Sequence, residues 1–213
     1  MFIELVDMLR CPNRHEDSWL VLAADRTNGR DVMDGTLGCP ICHAEYPIVA
    51  GVARFGGPPV ARPCPPDASE SLRLAALLDL TDARGYAILV GETGNHAPPM
   101  RHLTDAQLLL VDPPPDVEMG SGLSGLTTSV AGILPLAAAS ARAIALDDHA
   151  TPTLLDAALH VLAPGGRLLA PITLPLPTQT TELARDERNW LAERTGEAQA
   201  SGIVSIDRRR PGL

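Results

Sequence analysis

The sequence contains no lysine. All 17 basic side chains are arginine, against 26 acidic ones, for a net charge of −9. Nucleic-acid binding draws on clustered positive charge to displace counterions. The only dense basic run is Arg208, Arg209 and Arg210, which reads as a solvated tail, so autonomous nucleic-acid binding is not expected. Aromatic residues, at 3%, are too few for a base-stacking platform. No apolar run approaches the ~18 residues that a membrane helix needs. The opening MFIELVDMLRCPNRHEDSW has acids at Glu4 and Asp7 where a secretory signal carries a basic region. These absences lead us to expect a soluble, cytoplasmic protein with no membrane attachment.

What remains is an apolar, turn-rich chain: 45% hydrophobic residues with 20 Pro and 18 Gly over 213 residues, enough for a small unit joined to a medium one. The break falls at GGPPVARPCPPD, residues 56 to 67, where Gly and Pro deny both helix and ladder. The expected division is a unit at residues 1–57, a Pro-rich linker at 58–68 and a larger unit at 69–213. The first unit has short strand-like runs at Trp19 to Ala23 and Tyr46 to Val49 and is too small for its core alone to stabilise it, which makes a metal a natural staple. The second opens on DASESLRLAALLDL, in which Asp67 caps a helix and Glu70 closes a capping box. Strands are expected at Tyr86 to Val90, Gln107 to Asp112, Ala143 to Leu146, Arg167 to Ile172 and Ile203 to Ile206, with a weaker one near Gly132 to Leu136. Thr151 and Pro152 start a helix that Pro164-Gly165-Gly166 stops, and a further helix is expected over about Glu182 to Arg194. Near-continuous apolar strands alternating with helices predict the α/β class with a doubly wound parallel sheet.

Three of the four cysteines lie in the first unit. A C-x2-C turn, Cys39-Pro40-Ile41-Cys42, presents two thiolates on one side of a tight knuckle, and a second pair brought near by strand pairing completes a tetrahedral zinc site. Cys11 supplies one member of that second pair. Where a cysteine is expected three residues on stands Arg14, so the fourth ligand is His15, with His43 or Cys64 as alternatives. LGCPICHAEYPI reads as turn and strand, whereas a thioredoxin-type redox pair opens a helix. LRCP followed by LGCPICHAEYPIVAGVARF resembles the small zinc-ribbon proteins that activate tRNA and protein methyltransferases, over about residues 5 to 57. The resemblance carries over Cys11, Cys39 and Cys42 as zinc ligands.

In the second unit, LLDAALHVLAPGGRLLAPI is similar to the helix, Pro-Gly-Gly turn and fifth strand of class I S-adenosylmethionine-dependent methyltransferases, a likeness that extends over about residues 69 to 213. It implies a doubly wound, Rossmann-like methyltransferase sheet behind a small N-terminal zinc-ribbon-like β module, with S-adenosylmethionine as the cofactor to look for. In that family a Gly-rich loop after the first strand passes under the cofactor, and an acid closing the second strand takes the ribose hydroxyls. Here AILVGETGNHA keeps Gly91 and Gly94 but places Glu92 and Thr93 between them. Glu92 imitates the missing strand-end acid or is a plain loop residue. Asp112 ends LLLVD in the ribose position, where it equally serves as a turn former before Pro113. The VDPPP stretch has Pro115 where the Asp-Pro-Pro-aromatic motif of amino-methyltransferases has its ring, and it follows the wrong strand. Asp147, Asp148 and His149 follow the fourth strand, as a general-base site or, on the plainer reading, as the polar cap of the next helix. The altered loop and knuckle favour a degenerate relative that binds or regulates another protein, such as a methyltransferase. An active methyltransferase on a small molecule or protein is the alternative.

Overall fold

The computed structural model describes residues 1–57, 61–80, 85–120, 122–128 and 133–196. A 3-10 helix, Ile3–Met8, leads into an antiparallel meander of four strands, β1 (Val21–Asn28), β2 (Asp31–Gly38), β3 (Glu45–Val49) and β4 (Val52–Arg54). Two of the three connections of the meander are tight turns. Gly29 at φ +60° joins β1 to β2, and Ala50 with Gly51, both at positive φ, joins β3 to β4, as a two-residue hairpin whose twist matches its strands requires.

The Pro-rich stretch then delivers the chain to α1 (Ala68–Leu77), where Asp67 Oδ1 accepts from the N–H groups of Ser69 (2.7 Å) and Glu70 (3.4 Å). Only half of the expected capping box forms, because the Glu70 carboxylate pairs with Arg73 at 2.8 Å. Next come β5 (Tyr86–Val90), a 3-10 turn (Gly91–His96) continuing into the short α2 (Ala97–Met100), β6 (Gln107–Val111), β7 (Leu123–Thr127), β8 (Ala141–Ala145), α3 (Pro152–Val161), β9 (Leu162–Pro171), β10 (Thr180–Arg185) and β11 (Asn189–Arg194). Thr151 Oγ1 caps α3 by accepting from Leu154 N–H.

The eleven strands of the described residues form one sheet in the order β1-β2-β3-β4-β7-β6-β5-β8-β9-β11-β10. From β4 to β9 every pairing is parallel. The chain winds outward from β5 through β6 to β7, returns to lay β8 on the other side of β5, and winds outward again to β9, so a topological switch point lies between β5 and β8. This is the doubly wound, Rossmann-like α/β sheet, here extended at one edge by the N-terminal meander through the parallel β4–β7 pair.

Alternation along the strands divides the core between two faces. Ala87, Leu89, Leu108 and Leu110 pack under α1 and α2 through Leu74, Leu78 and Met100. Ile88, Val90, Leu109, Val111 and Ile144 belong to the opposite cluster, which combines Leu155, Ala158 and Leu159 of α3 with Met1, Leu5, Leu9, Ile48 and Phe55 of the N-terminal region.

The helix expected over Glu182 to Arg194 is instead the β10–β11 hairpin. Asp186 accepts from the N–H groups of Arg188 and Asn189 to form its turn, and β11 takes the free edge of β9, burying Trp190, Leu191 and Ala192. The strand expected near Gly132 to Leu136 is replaced by β7. Gly132 lies outside the described residues, and Leu136 makes only a single bridge to Leu9. The strand expected at Ile203 to Ile206 also lies outside the described residues. Both outermost strands are bulged, β1 around Arg26 and β10 between Glu182 and Ala184.

Candidate functional site

The N-terminal cluster is built by two loops. Cys39 closes the end of β2: its N–H donates to Ala44 O and its carbonyl accepts from His43 N–H, so the C-x2-C turn is rigid before any ligand is considered. His43, at φ +57°, turns the chain into β3. Cys11 follows a bridge between Arg10 and Trp19 and donates its own N–H to Ser18 O, which closes the loop carrying His15. The ligand atoms of Cys11, His15, Cys39 and Cys42 all lie within 4.8 Å of one another. Cys11 Sγ and Cys42 Sγ are 3.7 Å apart, and Cys39 Sγ is 3.5 Å from His15 Nε2.

A tetrahedron with Zn–S of about 2.3 Å and Zn–N of about 2.0 Å has S–S edges of roughly 3.8 Å and S–N edges of roughly 3.5 Å. The two edges Cys11–Cys42 and Cys39–His15 match those of a tetrahedral ion. His15 Nδ1 sits 2.6 Å from Glu16 O. A carbonyl can only accept, so Nδ1 carries a proton and, in the neutral ring, Nε2 faces the thiols with its lone pair, the orientation that metal-bound histidines share. The fourth-ligand alternatives lie elsewhere: His43 is not among the converging groups, and Cys64 sits in the linker with its N–H bonded to Asn95 Oδ1.

Local hydrogen bonds differentiate the thiols. The Asn13 side-chain amide, 3.3 Å from Cys42 Sγ, together with Ala44 N–H, brings the Cys42 thiol down to about 6. At Cys39, burial opposes the thiolate, and the N–H groups of Cys42 and Ile41 outweigh it, leaving the thiol below its ordinary value. Burial pushes Cys11 up, against a hydrogen bond from Tyr46. The Glu16 carbonyl raises His15.

The second candidate site lies beyond the carboxyl ends of β5, β6 and β8, at the switch point where open α/β sheets hold ligands. A cavity of about 370 Å³ opens there, floored by Val90, Val111 and Leu154 and rimmed by Glu92, Asp112 and Asp147. Its size is in the range of small-molecule sites.

The glycine loop does not face that cavity as a bare backbone. Gly91 has φ +60°, and a Cβ built on it would lie 2.0 Å from Asp147 Oδ2. That carboxylate accepts from Glu92 N–H at 3.0 Å and, through its other oxygen, from His149 N–H at 3.1 Å. A Cβ on Gly94 would meet Pro114 Cδ at 2.9 Å. Both glycines are thus needed for contacts within the protein, one to admit Asp147 and the other to seat the loop after β6. Thr93 turns inward to donate to Val90 O.

Asp112 lines the cavity in the left-handed region, at φ +50°. Its carboxylate accepts twice from Thr128, from the N–H at 2.9 Å and the hydroxyl at 2.7 Å. Glu92 Oε1 is 3.6 Å from Nε2 of the exposed His149. The Pro-rich stretch crosses the mouth of the cavity with Ala61 and Arg62 and is pinned by Asn95, which is 7% exposed. Asn95 Nδ2 donates to Arg62 O and Glu92 O, and its Oδ1 accepts from Cys64 N–H.

Of the residues singled out in the sequence, Gly91, Glu92 and Asp112 line this cavity and Gly94 does not. The Asp147-Asp148-His149 stretch does not cap α3, which Thr151 does; Asp147 instead fills the space above Gly91. Sequence reasoning missed this role, because a carboxylate following the fourth strand gives no local sign that it reaches back 56 residues to a glycine.

No family model matches the chain, and no curated protein does. Its sheet is similar to those of solved structures at low identity. A Corynebacterium glutamicum protein is 16% identical with a TM-score of 0.46, covering 65% of this chain and 85% of its own. A putative S-adenosyl-L-methionine-dependent methyltransferase of Methanococcus maripaludis is 9% identical with a TM-score of 0.44, covering 61% and 85% respectively. The Pyrococcus horikoshii protein TYW2, solved with MeSAdo, is 12% identical with a TM-score of 0.39, covering 76% and 72%. No helix among the described residues is long and apolar enough to cross a membrane.

Proposed function

We propose that this chain is a degenerate methyltransferase-like protein that acts by binding or regulating another protein, such as a methyltransferase, with zinc held by Cys11, His15, Cys39 and Cys42. The observation that carries this reading is the Asp147 carboxylate above Gly91, bonded to Glu92 N–H. A working cofactor loop offers bare backbone N–H groups at this place. Here the first of them is already spent, and a negative charge stands in the path of any carboxylate-bearing ligand. Losing one charge-assisted hydrogen bond costs about 1.5–3 kcal/mol, or roughly tenfold to a hundredfold in affinity, enough to take a micromolar site out of use. A partner would find apolar anchors on the N-terminal unit, where Trp19 is 66% and Val21 63% exposed, and an exposed Trp is a favoured anchor of protein interfaces.

The second reading, an active S-adenosylmethionine-dependent methyltransferase, is favoured by the open cavity and by Asp112 at its rim. Calorimetric titration with the cofactor and with its demethylated product separates the two. We expect no binding in the micromolar range for the natural sequence and a gain of about tenfold in Asp147→Ala, which clears the space above Gly91. A micromolar Kd that Asp112→Ala abolishes would overturn the first reading and leave the second standing.

A further inference from the structure

The cysteine cluster and the cavity are separate sites, yet an unbroken series of contacts joins them. Cys11 Sγ is 3.4 Å from Tyr46 Oη, within hydrogen-bonding distance. The Tyr46 ring packs on Phe55, with centroids 4.7 Å apart and planes tilted by 40°. Phe55 is buried, and its N–H donates to Thr127 O at 3.0 Å, continuing the parallel β4–β7 ladder past Arg54. The next residue is Thr128, which holds both oxygens of Asp112. Asp112 is the receiving element: it sits at positive φ, a conformation that residues other than glycine rarely adopt, and Thr128 is what holds its carboxylate there.

We propose that metal binding at the Cys11/His15/Cys39/Cys42 cluster sets the pose of Asp112 in the cavity, through Tyr46, Phe55 and Thr128. Tyr46 and Phe55 are positioning residues. With the cluster closed on an ion, Cys11 is fixed and Tyr46 is held against Phe55. The β4–β7 pairing is then held at its last rung, and Thr128 keeps Asp112 in the left-handed conformation. With the cluster open, the same series loosens and Asp112 gains access to extended backbone. The N-terminal unit on this account controls whether the rim of the cavity presents an ordered carboxylate.

The inference rests on reading the cluster as a metal site, and the test is chosen so that the two can fail separately. Hydrogen exchange of the full chain is followed by mass spectrometry with and without added zinc, alongside zinc stoichiometry by elemental analysis. One zinc per chain should slow exchange of peptides covering residues 107–112 and 123–128 by roughly tenfold, with less than about a threefold effect on the distant hairpin at 180–194. Tyr46→Phe, which removes only the hydroxyl, and Phe55→Leu, which keeps an apolar side chain but no ring, should take up zinc at the same stoichiometry while the response of 123–128 falls below about threefold. Zinc uptake with no change at 107–128, an equal change at 180–194, or variants that respond as the natural sequence does would each overturn the coupling and leave the metal site standing. Failure to bind zinc at all would overturn both.

Discussion

At the scale of single residues, Asp112 combines two demands that few side chains meet together. It must tolerate positive φ, and it must accept twice from Thr128. Alanine meets neither demand: its Cβ is disfavoured in the left-handed region by about 1 kcal/mol, and each lost hydrogen bond costs about a further 1 kcal/mol, partly recovered by water at this half-exposed site. Asparagine tolerates that conformation and keeps one acceptor. Asp112→Ala is therefore expected to lower unfolding stability by about 2 kcal/mol and Asp112→Asn by about 1 kcal/mol, measured by urea denaturation. Equal losses would mean that backbone conformation has no part in the effect. The acid at the end of LLLVD was legible in the sequence as a residue of interest. Its partner was not, because nothing in the sequence near Thr128 announces that β7 lies beside β6.

Elements fall into the same two groups, those fixed locally and those fixed by distant neighbours. The helices starting at Asp67 and Pro152 were legible because their caps and apolar spacing are local signals, and β5 and β6 were legible because a short, nearly continuous apolar run between turn formers has few alternatives. The hairpin β10–β11 was misread as a helix: ELARDERNWLAER has helical composition, but β9 needs an edge partner, and that demand comes from the other end of the sheet. The knuckle between β2 and β3 was legible from Cys-x2-Cys alone, and His15 stood out as a candidate beside it once Arg14 was seen in place of a cysteine. Its ligands must lose their protons to bind metal. His15 lies above its ordinary value because of the Glu16 carbonyl, and Cys42 lies at about 6 because of the Asn13 amide. As pH falls, the Cys11 thiol, raised by burial, takes up its proton before His15 and Cys42 do, so zinc affinity should fall as pH drops and fall most steeply below about 6, where Cys42 also protonates. Asn13→Ala removes the largest support of the Cys42 thiolate and should move that decline to higher pH. Competition with a chromophoric chelator across this range checks both; a midpoint unmoved by Asn13→Ala would show that the amide does not tune the site.

At the scale of the whole molecule, the N-terminal unit contributes to the same sheet and the same core cluster as the larger unit, with Met1, Leu5 and Leu9 in the cluster of Ile88, Val90 and Leu109. Each such side chain contributes about 1.5–3 kcal/mol by burial, against a total stability of about 5–15 kcal/mol for a domain. A fragment of residues 61–213 should therefore fail to accumulate as a soluble, cooperatively folded monomer, as judged by size-exclusion chromatography and thermal unfolding. A stable monomeric fragment would show the two units to be energetically independent. Joining the units edge to edge also makes the sheet unusually wide: eleven strands at ~4.8 Å spacing form a ribbon about 48 Å across. Such a ribbon ends in two long margins able to template further strands, and the bulges at Arg26 and between Glu182 and Ala184 interrupt the hydrogen-bonding rhythm at each of them. Such irregularities disfavour edge-to-edge pairing between copies of the chain, because an incoming strand finds no regular ladder to extend.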